Sequence, residues 1–463
     1  MAISDRTQTA VQSPLSAAEL PDTAVLLMVG AADRPGLPAQ RRFAQVRDGL
    51  EIGRRPSDEA EARGAALMVP DGLVSSQHAR ITLRAPGEFE ITDLGSKNGT
   101  FVDNVRVDER ARLKNGSVLF FGNHVAVFRM LSTMELDAIK ADLTSPLGPV
   151  ATCSPTLAVA CDRLRRLALA DGEILLLGET GVGKEVYARA VHELSQRRGR
   201  FTAINCAAIP RELVESELFG YRQGAHSTAH QAKLGLLEEA EGGTLFLDEI
   251  GEMSHEAQIK LLRFLQDREL TPLGSTRPRK IDVRIIAATN RTTSSGKTPT
   301  GLRDDIIGRL GAAPLYLPPL RYRIEDLGVL IAHFLRRTSA KEFEQPAFRA
   351  LALYDWPLNV RELEKIVGTA AVLAGDSRAI ALRDLPEPVA RGASAPVAAP
   401  RRAAGSSPTP EQIEDLLRRY NGNVADVSRE LGKHRAAVWR WMKKWGIGVE
   451  KFRKSDESKS DEP

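Results

Sequence analysis

Gly178-Glu179-Thr180-Gly181-Val182-Gly183-Lys184 follows the apolar run Ile174-Leu175-Leu176-Leu177 and precedes a helical pattern. A strand that enters a glycine-rich turn and opens a helix reads as a phosphate-binding loop. Glycines let backbone N–H groups turn inward around a phosphate, the helix offers its positive N-terminus, and Lys184 neutralises the β and γ oxygens. Nucleotide binding through Gly178, Glu179, Thr180, Gly181, Val182, Gly183 and Lys184 is therefore expected. Glu185 stands where the general motif has Ser or Thr, so the usual hydroxyl ligand to the metal is missing.

A second stretch, Thr244-Leu245-Phe246-Leu247-Asp248-Glu249, is an apolar strand ending in two acids. At the carboxyl end of a parallel strand beside the phosphate loop, Asp248 would hold Mg²⁺ or its water, and Glu249 would polarise the attacking water. The two stretches together predict ATP hydrolysis, with ATP and Mg²⁺ as cofactors.

The 463 residues allow about three domains at roughly 100–200 residues each. No run of about 18 apolar residues occurs, and the N-terminus lacks a basic region followed by an apolar stretch. A cytoplasmic protein without membrane contact is the expectation. Cys153, Cys161 and Cys206 form no C-x-x-C pair, so neither a disulfide nor zinc is inferred. A net charge of +4 says little by itself, but basic residues crowd towards the C-terminus.

Composition divides the chain. Residues 1–22 are small and polar and read as a disordered lead-in. From 24 to 132, short β-type runs such as Phe89-Glu90-Ile91-Thr92 alternate with Gly, Asn and Asp turns, which predicts an all-β sandwich. From 145 to 388, strands alternate with helical patterns, the signature of a parallel α/β sheet. Residues 389–409 collapse to Ala, Pro, Ser, Gly and Arg and read as a linker. Three short helices are expected over 410–449, followed by a disordered tail over 450–463.

In the β region, Gly53-Arg54, Ser75-Ser76-Gln77-His78, Asp93 and Gly95-Ser96-Lys97-Asn98-Gly99-Thr100 resemble the forkhead-associated domain, which binds phosphothreonine. Arg54 would supply a charge-assisted bond to phosphate and Ser75 and Ser76 hydroxyl donors. Lys97 and Asn98 would reach phosphate or peptide backbone. Ser76 stands where many family members carry Arg. His78 is expected to brace the loops from beneath.

The α/β region closely resembles the AAA+ ATPase domain, with its helical lid, of sigma-54-dependent transcription activators. The blocks that carry the resemblance are the phosphate loop with Glu185, Asn205-Cys206-Ala207-Ala208, Glu217-Leu218-Phe219-Gly220, the acidic strand end and Ala287-Ala288-Thr289-Asn290. By that resemblance Asn205 couples to Glu249, and Thr289 and Asn290 sense the γ-phosphate. Arg303 and Arg309 match arginine fingers that reach a neighbouring subunit, which implies a homo-oligomer, from dimer to hexameric ring. Arg361 in Trp356-Pro357-Leu358-Asn359-Val360-Arg361-Glu362-Leu363 takes the lid's nucleotide contact.

Family members carry a Gly-Ala-Phe-Thr-Gly-Ala loop that pushes on sigma-54. Here the aligned residues are Gly224, Ala225, His226, Ser227, Thr228 and Ala229. Two readings stand: a variant loop that still engages sigma-54 RNA polymerase, or an ATP- and DNA-binding regulatory scaffold that does not. The C-terminal helices resemble the Fis-type helix-turn-helix, which implies DNA as a partner. Lys433, His434, Arg435 and Arg440 would face the major groove, and Lys443 and Lys444 the phosphates. A phosphothreonine protein from a Ser/Thr kinase pathway would supply the input signal.

Overall fold

The computed structural model describes residues 23–37, 43–224, 231–291, 300–311, 314–338, 342–392, 410–420, 422–430, 435–448 and 452. Residues up to 398 form one compact unit, and those from 399 form a second.

Five parallel strands make the central sheet, in the order Phe201–Asn205, Thr244–Asp248, Arg284–Thr289, Ile174–Leu177, Leu315–Tyr316. Side chains alternate across a strand, so each strand feeds two cores. Leu175 and Leu177 meet Val214, Leu218, Leu261 and Phe264 on one face. Ile174 and Leu176 meet Leu157, Leu164 and Val191 on the other. The register aligns Leu177 with Thr289 and Asn205 with Asp248, so the phosphate loop and the acidic strand end emerge at the same, carboxyl end of the sheet.

Helices Leu327–Phe334, Gln345–Leu353, Asn359–Leu373 and Glu387–Gly392 form the lid around Trp356, which is fully buried. Val389 is 1% exposed in the lid core. Residues 389–392 therefore belong to the last lid helix and not to the linker, because one buried apolar side chain anchors an otherwise linker-like Pro-Ala-Gly composition.

The N-terminal module is a sandwich of a six-stranded and a five-stranded sheet. Its interior holds Leu26, Ile52, Ile81, Phe89, Ile91, Leu119, Phe121 and Phe128. Strand Thr23–Ala31 is buried at every position after the first, where a sandwich strand with one wet face would alternate. Its outward residues are covered. Val25 and Leu27 pack on Leu136 and Ile139 of helix Thr133–Thr144, which is started by a Ser132–Glu135 capping box.

Val29, with Phe120, Val125 and Val127, shares one core with Leu327, Ile331, Phe348 and Trp356 of the lid. Backbone approach there is close enough to require glycine: a Cβ at Gly328 would lie 2.1 Å from the Val29 carbonyl oxygen. Arg349 lies 4.1 Å from the centre of the Phe101 ring and 4.7 Å from that of Phe120, and donates to Asn104 Oδ1 at 2.7 Å. Arg129 grips the fully buried Glu325 at 3.1 and 3.2 Å. Burial pushes the Glu325 carboxyl up and Arg129 opposes it. The sequence reading places the sandwich and the ATPase in separate domains; the folded chain joins them through a common core.

In the second unit, helices Pro410–Arg419, Val424–Glu430 and Arg435–Trp445 enclose Ile413, Leu417, Val424, Val427, Val438 and Met442. The i, i+4 pair Val438 and Met442 points inward, as its spacing predicts. All three cysteines are buried. Among the described residues, no helix is long and apolar enough to cross a membrane.

Removing one partner of a buried ion pair leaves the other charge uncompensated, at a cost of about 3–5 kcal/mol. Arg129→Ala should therefore lower the unfolding free energy of the first unit, read from a urea titration, by a margin of that order, whereas Arg63→Ala, which removes an exposed i, i+4 pair with Glu59, should change it little.

Candidate functional site

Lys184 opens helix Lys184–Leu194 directly after Gly183, whose φ of +102° only glycine adopts readily. Its side chain is 6% exposed, and Nζ donates to Gly178 O at 2.9 Å and stands 3.5 Å from Glu249 Oε1. Glu249 takes a left-handed φ of +51°, an uncommon conformation for a non-glycine residue that is often found at functional sites. Its Oε2 accepts the Asn290 N–H at 3.0 Å, while Asn290 Nδ2 donates to Thr180 Oγ1 at 2.9 Å. Lysine, acid and loop hydroxyl are thus linked by short contacts at the carboxyl end of the sheet.

Asp248 Oδ1 accepts the Glu249 N–H at 3.1 Å. Burial raises its carboxyl, and Lys184 pulls in the other direction. Mg²⁺ bound to a nucleotide takes most of its six oxygens from phosphate and water and needs only one or two protein carboxylates. Among the described residues no cluster of three or more candidate metal ligands exists. Glu185 is exposed and paired with Arg189 at 3.1 Å.

Other predicted residues behave differently. Thr289 is fully buried; its hydroxyl accepts the Arg291 N–H and its carbonyl the Gly178 N–H, so it props the loop and Asn290 alone of the pair is bonded into the site. Asn205 Oδ1 accepts the Ala207 N–H at 2.9 Å, while the two Glu249 oxygens face Lys184 and Asn290; the expected Asn205–Glu249 coupling is not formed here. Glu179 turns to the lid, where Arg321 grips it through two nitrogens and Asn359 through one. The Arg321 bonds come first in holding its carboxyl low, against the opposing effect of burial. The sequence reading gives Arg321 and Asn359 no role, although Asn359 stands inside the lid block Trp356-Pro357-Leu358-Asn359-Val360-Arg361-Glu362-Leu363.

Arg361 is exposed, and its N–H donates to Gly181 O at 3.3 Å. Arg303 caps helix Asp304–Leu310 and is held by Asp305 and His255; Arg309 is exposed on the same helix. Of the loop aligned with the sigma-contact motif, Gly224 is described at φ +80°, and Ala225, His226, Ser227, Thr228 and Ala229 lie outside the described residues.

In the sandwich, Arg54, Arg55 and Ser76 line an open cleft of about 470 Å³ with Pro70, Asp71 and Gly72. Arg55 is an addition to the predicted set. The Ser75 hydroxyl accepts the Lys97 N–H at 3.2 Å, and Asn98 Nδ2 donates to Leu73 O at 2.7 Å, so the predicted loops are tied together. Fully buried His78 sits beneath them. Its Nδ1 accepts the Ser75 N–H at 3.0 Å, which leaves Nε2 to donate to Gly99 O at 3.3 Å. Burial lowers its pKa, against the pull of the Gly99 carbonyl, Asp93 and Asp71.

In the C-terminal unit, Arg440 and Lys443 are exposed on the last helix. Arg435 and Lys444 belong to the same helix, and Lys433 and His434 lie outside the described residues.

Three family models match the chain: the sigma-54 interaction domain over residues 150–316, the FHA domain over 50–122 and the AAA+ ATPase lid domain over 321–401. Over 248 residues it is 47% identical to the DNA-binding transcriptional regulator NtrC of Azospirillum brasilense, a match that covers 52% of this chain and 51% of that protein. Over 319 residues it is 37% identical to the regulatory protein AtoC of Escherichia coli K12, covering 65% of this chain and 68% of AtoC. The chain thus spans about half the length of the NtrC relative. A crystal structure of NtrX from Brucella abortus with ADP aligns at 29% identity with a TM-score of 0.48, covering 68% of this chain and 72% of that one.

Two outcomes follow from this geometry. A Cβ at Gly181 would lie 2.2 Å from the Leu358 carbonyl oxygen at a φ of +81°, whereas one at Gly183 would meet nothing. Gly181→Ala should weaken binding of a fluorescent ATP analogue more than about tenfold, and more than Gly183→Ala does. The neutral His78 contributes stability that is complete above its ordinary pKa of 6.5 and is lost as pH falls through that value towards the lower folded one. Urea midpoints at neutral and mildly acidic pH should show this loss, and His78→Gln should reduce it.

Proposed function

Because this chain belongs to the sigma-54 interaction domain family of transcriptional regulators, we propose that it hydrolyses ATP in a ring of subunits to remodel sigma-54 RNA polymerase, under control of a phosphothreonine signal. The observation that carries the ATPase reading is the junction of Lys184, Asp248, Glu249 and Asn290 at the carboxyl end of the sheet. Lys184 neutralises phosphate oxygens, Asp248 anchors the metal, and Glu249, aimed by the Asn290 N–H, orients the attacking water. Mg²⁺ offsets charge on the β and γ oxygens when bound. The exposed guanidinium of Arg361 meets the nucleotide from the lid.

Arg309 reaches the neighbouring subunit's γ-phosphate, and Arg303 joins it on leaving Asp305 and His255. An arginine finger supplied in trans raises phosphoryl-transfer rates by about 10³–10⁵, which would make hydrolysis depend on assembly. The cleft at Arg54, Arg55 and Ser76 receives the phosphothreonine, with Ser75, Lys97 and Asn98 around it. The C-terminal helices bind enhancer DNA as a helix-turn-helix, with Arg440 and Lys443 at groove or backbone.

His226-Ser227-Thr228 in place of Phe-Thr-Gly favours a second reading, in which the chain binds ATP and DNA as a scaffold without opening sigma-54 promoters. Replacing Phe removes an apolar contact worth about 1–3 kcal/mol. Glu249→Gln should retain ATP binding and lower hydrolysis at least about a hundredfold. In a reconstituted sigma-54 promoter assay, the first reading expects ATP-dependent open complexes. ATP turnover without them would establish the scaffold, and His226→Phe should then restore opening if the loop is the defect. Equal binding of phosphorylated and unphosphorylated threonine peptides would remove the phosphate-sensing role.

A further inference from the structure

A phosphate loop works only if its N–H groups face the ligand, and in a trans peptide the N–H points opposite to the carbonyl before it. The peptides here contain no cis bond among the described residues, so what the loop carbonyls bind decides where the N–H groups point. Asn359 Nδ2 donates to the Thr180 carbonyl at 3.0 Å, and Arg323 donates to the Val182 carbonyl at 2.8 Å. These two bonds direct the N–H groups of Gly181 and Gly183 away from the lid. The same Asn359 Nδ2 also donates to Glu179 Oε2 at 3.1 Å, and Arg321 holds both Glu179 oxygens, at 2.8 and 2.5 Å.

The clamp is itself fixed. Asn359 is fully buried at a φ of +58°, and its Oδ1 accepts the Leu320 N–H at 2.8 Å. Both donations from that amide therefore go to the phosphate loop, and its oxygen accepts from the turn that carries Arg321. Arg321 follows Leu320 in the same short turn, so carboxylate grip and carbonyl grip move together.

We propose that Arg321, Arg323 and Asn359 are positioning residues that preorganise the phosphate loop, with Glu179 as their handle, so that nucleotide affinity is set from the lid side. This rests on the nucleotide reading above. None of the four side chains needs to touch the nucleotide; they act by holding peptide planes.

The experiment uses the full chain and fluorescent ATP and ADP analogues. Arg321→Met, at a partly exposed side chain, should keep the melting temperature within a few degrees while raising Kd for both analogues about tenfold, with kcat at saturating ATP falling by less than about threefold. Arg321→Lys, which keeps the charge without the fork, should recover part of that loss. Because both ends of one pair act through the same contact, Glu179→Gln combined with Arg321→Met should bind no more weakly than the worse single variant. Unchanged affinity in both single variants, or losses that add in the double, would overturn the clamp. A folded wild-type chain that binds neither analogue would instead overturn the nucleotide reading, and the clamp with it.

Discussion

A loop that offers its backbone N–H groups to a ligand cannot use them to hold its own shape. Order must then come from what takes the carbonyls on the far side. For the carbonyls of Thr180, Val182 and Gly181 those partners are Asn359, Arg323 and the Arg361 N–H, all within or next to the lid. Asn359 hangs from a turn anchored by Trp356, whose indole N–H donates to Leu351 O at 3.1 Å inside the lid core. That core is completed by Val29, Phe120, Val125 and Val127 of the sandwich. The geometry of the phosphate loop therefore depends, through packed contacts, on a module at the other end of the sequence.

The acids beside the loop show a second constraint. Asp248 and Glu249 are neighbours in sequence, and burial and, to a smaller extent, the nearby Glu249 charge raise the Asp248 carboxyl. The left-handed backbone at Glu249 turns the two side chains to different work, one bonded by a main-chain N–H and the other spanning Lys184 and Asn290. Local backbone strain is the device that separates them, which is the usual place for such strain to be stored.

The phosphate loop and the acidic strand were legible because each lies on one strand and its exit, where order along the chain is order in space. The sandwich and the C-terminal helices were legible for the same reason, from short-range alternation and i, i+4 spacing. What could not be read joins distant segments: Arg129 to Glu325, separated by 196 residues, and Arg349 to Asn104, separated by 245. Arg321 and Arg349 look like any surface arginine until the fold places Glu179 and two phenylalanine rings beside them. The unbroken apolar run Ala24 to Val29 did carry a signal, since a strand with a wet outer face would alternate. Thr289 and Asn205 were assigned by resemblance, and their side chains settle on nearby main-chain N–H groups.

The shared core between sandwich and lid also has a mechanical meaning. The Arg129–Glu325 pair and the stacked Arg349 tie the sandwich to the lid at separate points, and helix Thr133–Thr144 packs between the first sandwich strand and Cys153 and Ala158 of the ATPase region. The sandwich is thus fastened to both parts of the ATPase, and a displacement of the lid would strain these contacts together with those at the phosphate loop.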